Sequence, residues 1–190
     1  HWRYMQRIIE LGDGPGLYAR YNTNLSRIDY QGVNLYNDIL DKIRDWQICA
    51  SLDGVGEVGE YIRTGLKYDE WLENFKQGLG HARNRRMMRI DFTLTTPGLF
   101  EVPEIIKLAD ELGVEVLAKT TFAFTPDIAM SPLFLPRPIL EQIINSIMPA
   151  TPGAMRDVLT NLINRPTFEE EYPSEVYLEA RCRAKQRMES

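Results

Sequence analysis

Four short apolar runs, each separated from the next by helical or turn-forming sequence, constrain the fold of this chain more than any other feature. They occupy residues 17–23, 46–52, 88–95 and 114–120. In the second run, apolar residues occupy both odd and even positions, so both sides of the strand are apolar. This is typical of a strand buried on both faces. Strands that alternate with helices pair in parallel through right-handed crossovers, so the pattern predicts an α/β fold.

Helical periodicity is clearest over residues 68–80, where five apolar side chains form one stripe: Tyr68, Trp71, Leu72, Phe75 and Leu79. Further helices are predicted over residues 2–11, 35–44, 103–112 (with Gly113 as its C-terminal cap), 139–148, after a Thr151 cap, and from about 174. Four strands do not close a barrel. The sheet is therefore expected to be an open doubly wound one, or part of a barrel whose other units lie upstream.

Composition excludes several classes of protein. The chain has 190 residues, 44% of them hydrophobic, and a net charge of −5, which is typical of a globular domain and argues weakly against a dedicated nucleic-acid binder. No apolar run approaches membrane-spanning length. Two cysteines, Cys49 and Cys182, are too few for a multi-cysteine framework. Low cysteine use favours a cytoplasmic location.

The alternation of predicted strands and helices ends near residue 121. Residues 121–138 contain three Phe and four Pro without a clear period, so we predict a long ordered loop there. We accordingly divide the chain into residues 1–125, which hold the strands, and residues 126–190, which hold the Phe/Pro loop and a helical extension.

Small polar residues follow each predicted strand, where ligands of parallel α/β folds bind. These candidates are Asn22, Thr23, Asn24, Ser51, Asp53, Thr93, Thr95, Thr96, Lys119, Thr120 and Thr121. Arg63 is placed to close over a carboxylate through a bidentate pair. Each residue also has a purely structural interpretation: Asn24 as a turn former, Ser51 and Asp53 as caps, and Arg63 as a surface residue.

Other motifs do not indicate catalysis. His1 and His81 are the only histidines, which makes a histidine metal site or a Ser-His-Asp triad improbable. Residues 54–59 (GVGEVG) match the bare spacing of a dinucleotide loop, but the acidic residue within would repel a pyrophosphate. The arginines of residues 83–89 are interpreted first as a solvated helix end, and second as a phosphate contact.

The string SLDGVGEVGEYIR, residues 51–63, resembles the radical S-adenosylmethionine enzymes, closest to the branch with a twitch domain. YNTNLS upstream, KYDEWLENF downstream, and the tracts MSP (130–132) and FLP (134–136) are similar to the same branch. The resemblance extends over residues 17–172. It implies a partial parallel (βα) barrel, of which strands three to six are present here, followed by C-terminal helices.

The resemblance also implies cofactors and roles. Members cleave S-adenosylmethionine reductively at a 4Fe–4S cluster to start radical chemistry, with flavodoxin or ferredoxin as reductant. Thr23, Asn24, Ser51, Asp53 and Arg63 match the cofactor-binding positions. Two further residues, Thr93 and Lys119, lie on the substrate side. The substrate is a peptide, a nucleic acid or a small metabolite.

This chain departs from the family pattern in two segments. It contains neither the CxxxCxxC loop that holds the cluster nor a GGEP-type segment, so no metal-ligating or catalytic residue is assigned. We therefore expect a C-terminal fragment that is inactive by itself. Two alternatives stay open: a cluster-free α/β binding or scaffold module with a nucleoside-like pocket, and an ordinary open α/β enzyme that binds a phosphorylated metabolite.

Overall fold

The computed structural model describes residues 2–121 and 130–188, apart from the side chains of residues 187 and 188. Its strands are β1 Tyr18–Thr23, β2 Asp29–Tyr30, β3 Val33–Asn34, β4 Asp45–Ser51, β5 Met88–Leu94 and β6 Glu115–Thr120. Its helices are α1 Trp2–Glu10, α2 Gly56–Ile62, α3 Tyr68–His81, α4 Val102–Leu112, α5 Arg137–Ile147, α6 Gly153–Ile163, α7 Phe168–Glu171 and α8 Ser174–Met188.

The main sheet has four strands in the order β1-β4-β5-β6, and every neighbouring pair is parallel. This confirms the α/β class and the parallel pairing predicted from the sequence. The spatial order follows the chain order without a reversal. Because right-handed crossovers that always advance in one direction pass over the same face, we infer that the connecting segments cover only one face of this sheet.

Burial along the strands distinguishes the two faces. Both outer strands, β1 and β6, alternate strictly between exposed and half-buried residues. The half-buried residues of β1, such as Ala19 and Tyr21, are in register with buried Trp46 and Ile48 of β4. These residues form the buried face of the sheet. We call the face on its other side, which carries the exposed residues of β1 and β6, the open face. Its residues are mostly polar: Tyr18, Arg20, Asn22, Asp45, Gln47, Cys49, Ser51, Arg89, Asp91, Thr93, Glu115, Leu117 and Lys119.

Helices α3 and α4 cover the buried face of the sheet, and their apolar stripes predict such packing. Trp71 and Phe75 of the α3 stripe are completely buried, and their rings stack with centroids 5.0 Å apart. Helix α4 ends at Leu112 and is capped by Gly113, whose φ of 67° is the left-handed conformation expected of a glycine in that position. These contacts position the loops that follow the strands.

The segment between β1 and β4 differs from the predicted helix over residues 35–44. It consists of the β2–β3 hairpin, a single π-helical turn Leu35–Ile39 and a 3-10 turn Leu40–Lys42. The Asn34 side chain starts it by accepting the backbone N–H groups of Tyr36 and Asn37. The two turns together bury Leu35, Tyr36, Ile39 and Leu40.

Two further sequence predictions concern the Thr151 cap and the boundary between the two parts of the chain. Thr151 does not cap α6, because its hydroxyl donates to the carbonyl of Ile147 at 2.9 Å while Pro152 occupies the cap position. The proposed boundary between residues 125 and 126 lies outside the described residues, as does most of the Phe-containing part of the predicted loop. Among the helices that the structure describes, none combines the length and apolar character needed to cross a membrane.

Candidate functional site at the carboxyl ends of the strands

Asp53 connects three elements at the carboxyl end of the sheet. It lies two residues after β4 and is only 5% exposed. Its Oδ1 accepts the backbone N–H of Thr93 in β5 at 2.8 Å, and its Oδ2 accepts the Nε–H of Arg63 at 2.7 Å. The carboxylate thus fixes the end of β4 against β5 and holds the guanidinium that follows α2.

Arg63 retains hydrogen-bonding capacity beyond this pair. Its side chain is 29% exposed, and only the Nε–H is used in a hydrogen bond to a described residue. A guanidinium carries five N–H donors in a planar fork. The Nη donors of Arg63 therefore remain able to bind a carboxylate or phosphate while Asp53 holds the side chain in position.

A second ion pair lies on the open face. Lys119 Nζ is 2.7 Å from Asp91 Oδ2, and the Asp91 side chain is 3% exposed while that of Lys119 is 54% exposed. In the sheet register, Lys119 pairs with Thr93 and Asp91 pairs with Ser51. The structure thus brings together Ser51, Asp53, Arg63, Thr93 and Lys119 of the sequence candidates, and we call this group the strand-end cluster.

Thr23 and Asn24 do not join this group through their polar atoms. Thr23 Oγ1 accepts the backbone N–H of Leu25 at 3.1 Å, and Asn24 Oδ1 accepts the hydroxyl of Ser26 at 3.1 Å. Leu25 is fully buried with a positive φ of 50°, so the chain turns sharply here. Both side chains stabilise that turn, as the structural interpretation of Asn24 expects.

The glycine-punctuated loop after β4 has a packing explanation. A Cβ on Gly59 would lie 2.2 Å from the carbonyl oxygen of Gly54, and Gly56 adopts a φ of 57°. Glu101 Oε2 accepts the backbone N–H of Val55 at 2.9 Å, directly before α2. A carboxylate already occupies this position, which agrees with the sequence argument that the loop is unsuited to a pyrophosphate.

Two residues of this region were not identified from the sequence. From the sequence Asp91 is only a member of a predicted strand, although it is a charged residue inside an apolar run and lies two positions from both Arg89 and Thr93. Glu101 gave no signal, because its contact with Val55 spans 46 positions. The position of Asp91 in the strand was the one available signal. Residues two apart point to the same face of a sheet, so Asp91 is predicted to share a face with Arg89 and Thr93.

The side chains of this chain do not fit an iron–sulfur cluster. Cys49 is completely buried on the open face and Cys182 is exposed on α8. Within residues 2–121 and 130–188, no three His, Cys, Asp or Glu side chains gather in a way that would hold a metal ion. No step is therefore assigned to such a cluster here.

The strand-end cluster does fit a polar organic ligand with separated charges. It offers two cations, each anchored by a buried carboxylate, and the hydroxyls of Ser51 and Thr93 between them. Such an arrangement binds and orients groups through hydrogen bonds. Comparison of the chain with protein-family models, with curated proteins and with solved structures finds no match.

Proposed function

We propose that this chain forms strands three to six of a radical S-adenosylmethionine enzyme, in which the sheet is part of the wall of a partial (βα) barrel. The observation that carries the proposal is the all-parallel sheet in sequential order with a polar open face. A parallel sheet is normally covered on both faces by apolar side chains. The inner wall of a barrel that holds a ligand faces that ligand instead of a helix layer, and an open face of mixed polar residues is compatible with this arrangement.

The strand-end cluster supports a place for S-adenosylmethionine at the carboxyl ends of β4 and β5. The Nη donors of Arg63 bind the carboxylate of the ligand, while Asp53 and the Thr93 amide hold that guanidinium in orientation. Ser51 offers a hydroxyl beside them. When bound in a complete enzyme, this cofactor supplies a 5′-deoxyadenosyl radical that abstracts hydrogen from a substrate.

On this proposal Lys119 faces the substrate side, and Thr23 and Asn24 shape the turn after β1 that borders the cofactor. The cluster-binding cysteines and the contact with a reductant such as flavodoxin or ferredoxin belong to a longer parent chain. The 190 residues alone are expected to bind the cofactor without cleaving it.

Titration calorimetry with S-adenosylmethionine tests the cofactor site directly. We expect saturable binding that Arg63→Gln weakens at least about tenfold, because charge-assisted hydrogen bonds contribute roughly 1.5–3 kcal/mol. Arg3→Gln, an exposed residue of α1, is the matched control and should bind like the unmodified chain. Absence of binding, or equal affinity of both variants, would contradict the proposal, provided that thermal unfolding shows both variants folded.

Reading the genomic sequence upstream of the His1 codon, in frame, distinguishes an enzyme from a binding module. A CxxxCxxC loop followed by a GGEP-like segment supports the radical enzyme, and anaerobic reconstitution of that longer chain should then cleave the cofactor. A start codon directly before His1, or an upstream domain without cysteines, leaves the pocket to the cluster-free binding module.

A further inference from the structure

A group of five cations lies at the opposite end of the sheet, where β4 and β5 begin. The group consists of Lys42, Arg44, Arg83, Arg85 and Arg86, all of them exposed, and we call it the basic end. Because β4 and β5 are parallel neighbours, the residues that precede them meet at one edge of the sheet. The basic end is therefore separated from the strand-end cluster by the length of the strands.

Specific contacts hold the basic end together. The Arg83 guanidinium donates to the backbone carbonyl of Arg44, which joins the two loops. Gln47 Nε2 donates to the carbonyl of Arg86 at 2.7 Å, and Asn84 Oδ1 accepts the Arg86 amide at 3.0 Å. The backbone of this turn is thus bonded on both sides, and the side chains of Arg85 and Arg86 extend into solvent.

The arginines begin two residues after the end of α3 and are exposed, as their interpretation as a solvated helix end predicts. Helix α3 ends at His81, and the Ala82 amide bonds to the carbonyls of Gly78 and Leu79. The Arg83 guanidinium goes to Arg44 and not to a carbonyl of the helix. The run is thus close enough to the C-terminus of α3 to interact with its dipole, and Arg83 in addition links it to the loop before β4.

The charges of the basic end are not neutralised within the described part of the chain. None of its five cations forms a salt bridge to a described carboxylate. Of the acids in the same loops, Asp41 lies 2.9 Å from His81 and Asp45 is exposed. Asp13 also adjoins them, because the carbonyl of Gly14 accepts the Arg44 amide at 3.1 Å. Five positive charges against these three acids, in a chain of net charge −5, form a positive region.

An exposed aromatic ring adjoins this region. Tyr18, the first residue of β1, is 55% exposed and is in register with Asp45, which directly follows Arg44. Arginines bind phosphates through planar, bidentate hydrogen bonds, and exposed aromatic rings stack on unpaired bases. The two features together are suited to a single-stranded nucleic acid, because its phosphates meet the arginines while its unpaired bases offer flat faces to the ring.

We propose that the basic end binds single-stranded nucleic acid, with the arginines on the phosphates and Tyr18 stacked on a base. This surface is independent of the cofactor site, because it lies at the other end of the strands. The expected affinity is that of a sequence-tolerant contact, a dissociation constant between about 10⁻⁴ and 10⁻⁶ M at physiological salt.

Fluorescence anisotropy tests the proposal with the 190-residue chain and a labelled single strand of about 16 nucleotides, the upper end of common site sizes. Raising the salt from about 50 to 200 mM should give a log–log slope of roughly −2 to −3, because three to four phosphates each contribute about 0.7. Arg85→Glu/Arg86→Glu should weaken binding at least about tenfold, and Tyr18→Leu at least about fivefold.

The matched control is Lys76→Glu/Lys107→Glu, which changes the net charge by the same amount at exposed positions of α3 and α4. It should change affinity less than about threefold, because salt screens charges beyond about 10 Å. Equal losses in both double variants would overturn the proposal. Equally tight binding of a poly-glutamate peptide, or of duplex DNA together with an unaffected Tyr18→Leu variant, would also overturn it.

Discussion

At the scale of single residues, Asp53 has the largest structural role in the strand-end cluster. Its two carboxylate oxygens serve the Thr93 amide and the Arg63 guanidinium, and it is nearly inaccessible to solvent. A buried carboxylate is tolerated only when its charge is compensated. Asp53 therefore contributes to stability as well as to the placement of Arg63.

Asp53→Asn should lower the free energy of unfolding by about 2 kcal/mol. The amide oxygen still accepts the Thr93 N–H, but the charge that compensates Arg63 is lost, and the partial exposure of Arg63 limits the effect. Urea unfolding measures the change. Asp157→Asn, at an exposed position of α6, is the control and should remain within about 0.5 kcal/mol of the unmodified chain.

Two helical glycines make a matched pair for testing the packing of the loop after β4. A Cβ at Gly59 would collide with the backbone of Gly54, whereas a Cβ at Gly80 meets no atom within 4 Å. Gly59→Ala should destabilise the protein by more than about 2 kcal/mol, and Gly80→Ala should stabilise it by roughly 0.5 kcal/mol. Thermal unfolding compares them, and a tolerated Gly59→Ala would show that this loop packs differently.

At the scale of elements, Arg137 joins three helices of the C-terminal part. From the first residue of α5 it donates to the carbonyl of Ile163 at the end of α6, at 2.6 Å, and to that of Arg165. It also forms two hydrogen bonds to the Glu170 carboxylate of α7. One guanidinium thus satisfies helix-end carbonyls and fixes the direction in which α7 leaves α6.

The Glu170 contact makes this part of the protein sensitive to acid. The hydrogen bonds from Arg137, with the Thr167 amide, lower the pKa of Glu170 from 4.5 to about 2. Because the folded pKa lies below the unfolded one, the stabilisation is complete above about pH 4.5 and is lost as pH falls toward 2. Glu170→Gln should remove this contribution to the pH dependence of unfolding.

Urea unfolding at several values between pH 2 and 5 measures that effect. The control is Glu171→Gln on the same short helix, which should keep the acid sensitivity of the unmodified chain. Identical pH profiles for the Glu170→Gln variant and the unmodified chain would show that the Arg137 contact does not form in solution.

At the scale of the whole molecule, helices pack on one face of the sheet, and the two cysteines of the chain can be used to test this arrangement. Cys49 lies on the open face of a central strand but is completely buried, while Cys182 on α8 is exposed. Cys49 is in register with Asn22 and Arg89 on that face, and its Sγ lies 3.8 Å from Gln47 Oε1. A thiol buried in this way should react only when the strand separates from its neighbours.

Titration of the native chain with a thiol reagent should show one fast equivalent and one slow equivalent. Cys182→Ser should abolish the fast phase and leave the slow one, whose rate should increase with urea as the sheet opens. A Cys182→Ser variant that reacts in native buffer as fast as a small free thiol would show that reagents reach β4 through the open face.

The strands and their parallel pairing were predictable because the signals are local. Apolar runs of strand length, the α3 stripe and the Gly113 cap each depend on neighbours within a few positions. The wide turn over Leu35–Ile39 was not predictable in this way. Its apolar spacing is compatible with a helix, and burial against the distant strand β4 decided its form.

For the site, the sequence by itself determined which residue types end the strands, and tertiary structure decided what those residues do. The pairing of Asp53 with Arg63, and of Asp91 with Lys119, joins positions 10 and 28 residues apart. The same candidates included Thr23 and Asn24, whose polar atoms stabilise a turn. Composition and spacing determine hydrogen-bonding capacity, whereas the partner depends on sheet register, which arises from contacts far apart in the chain.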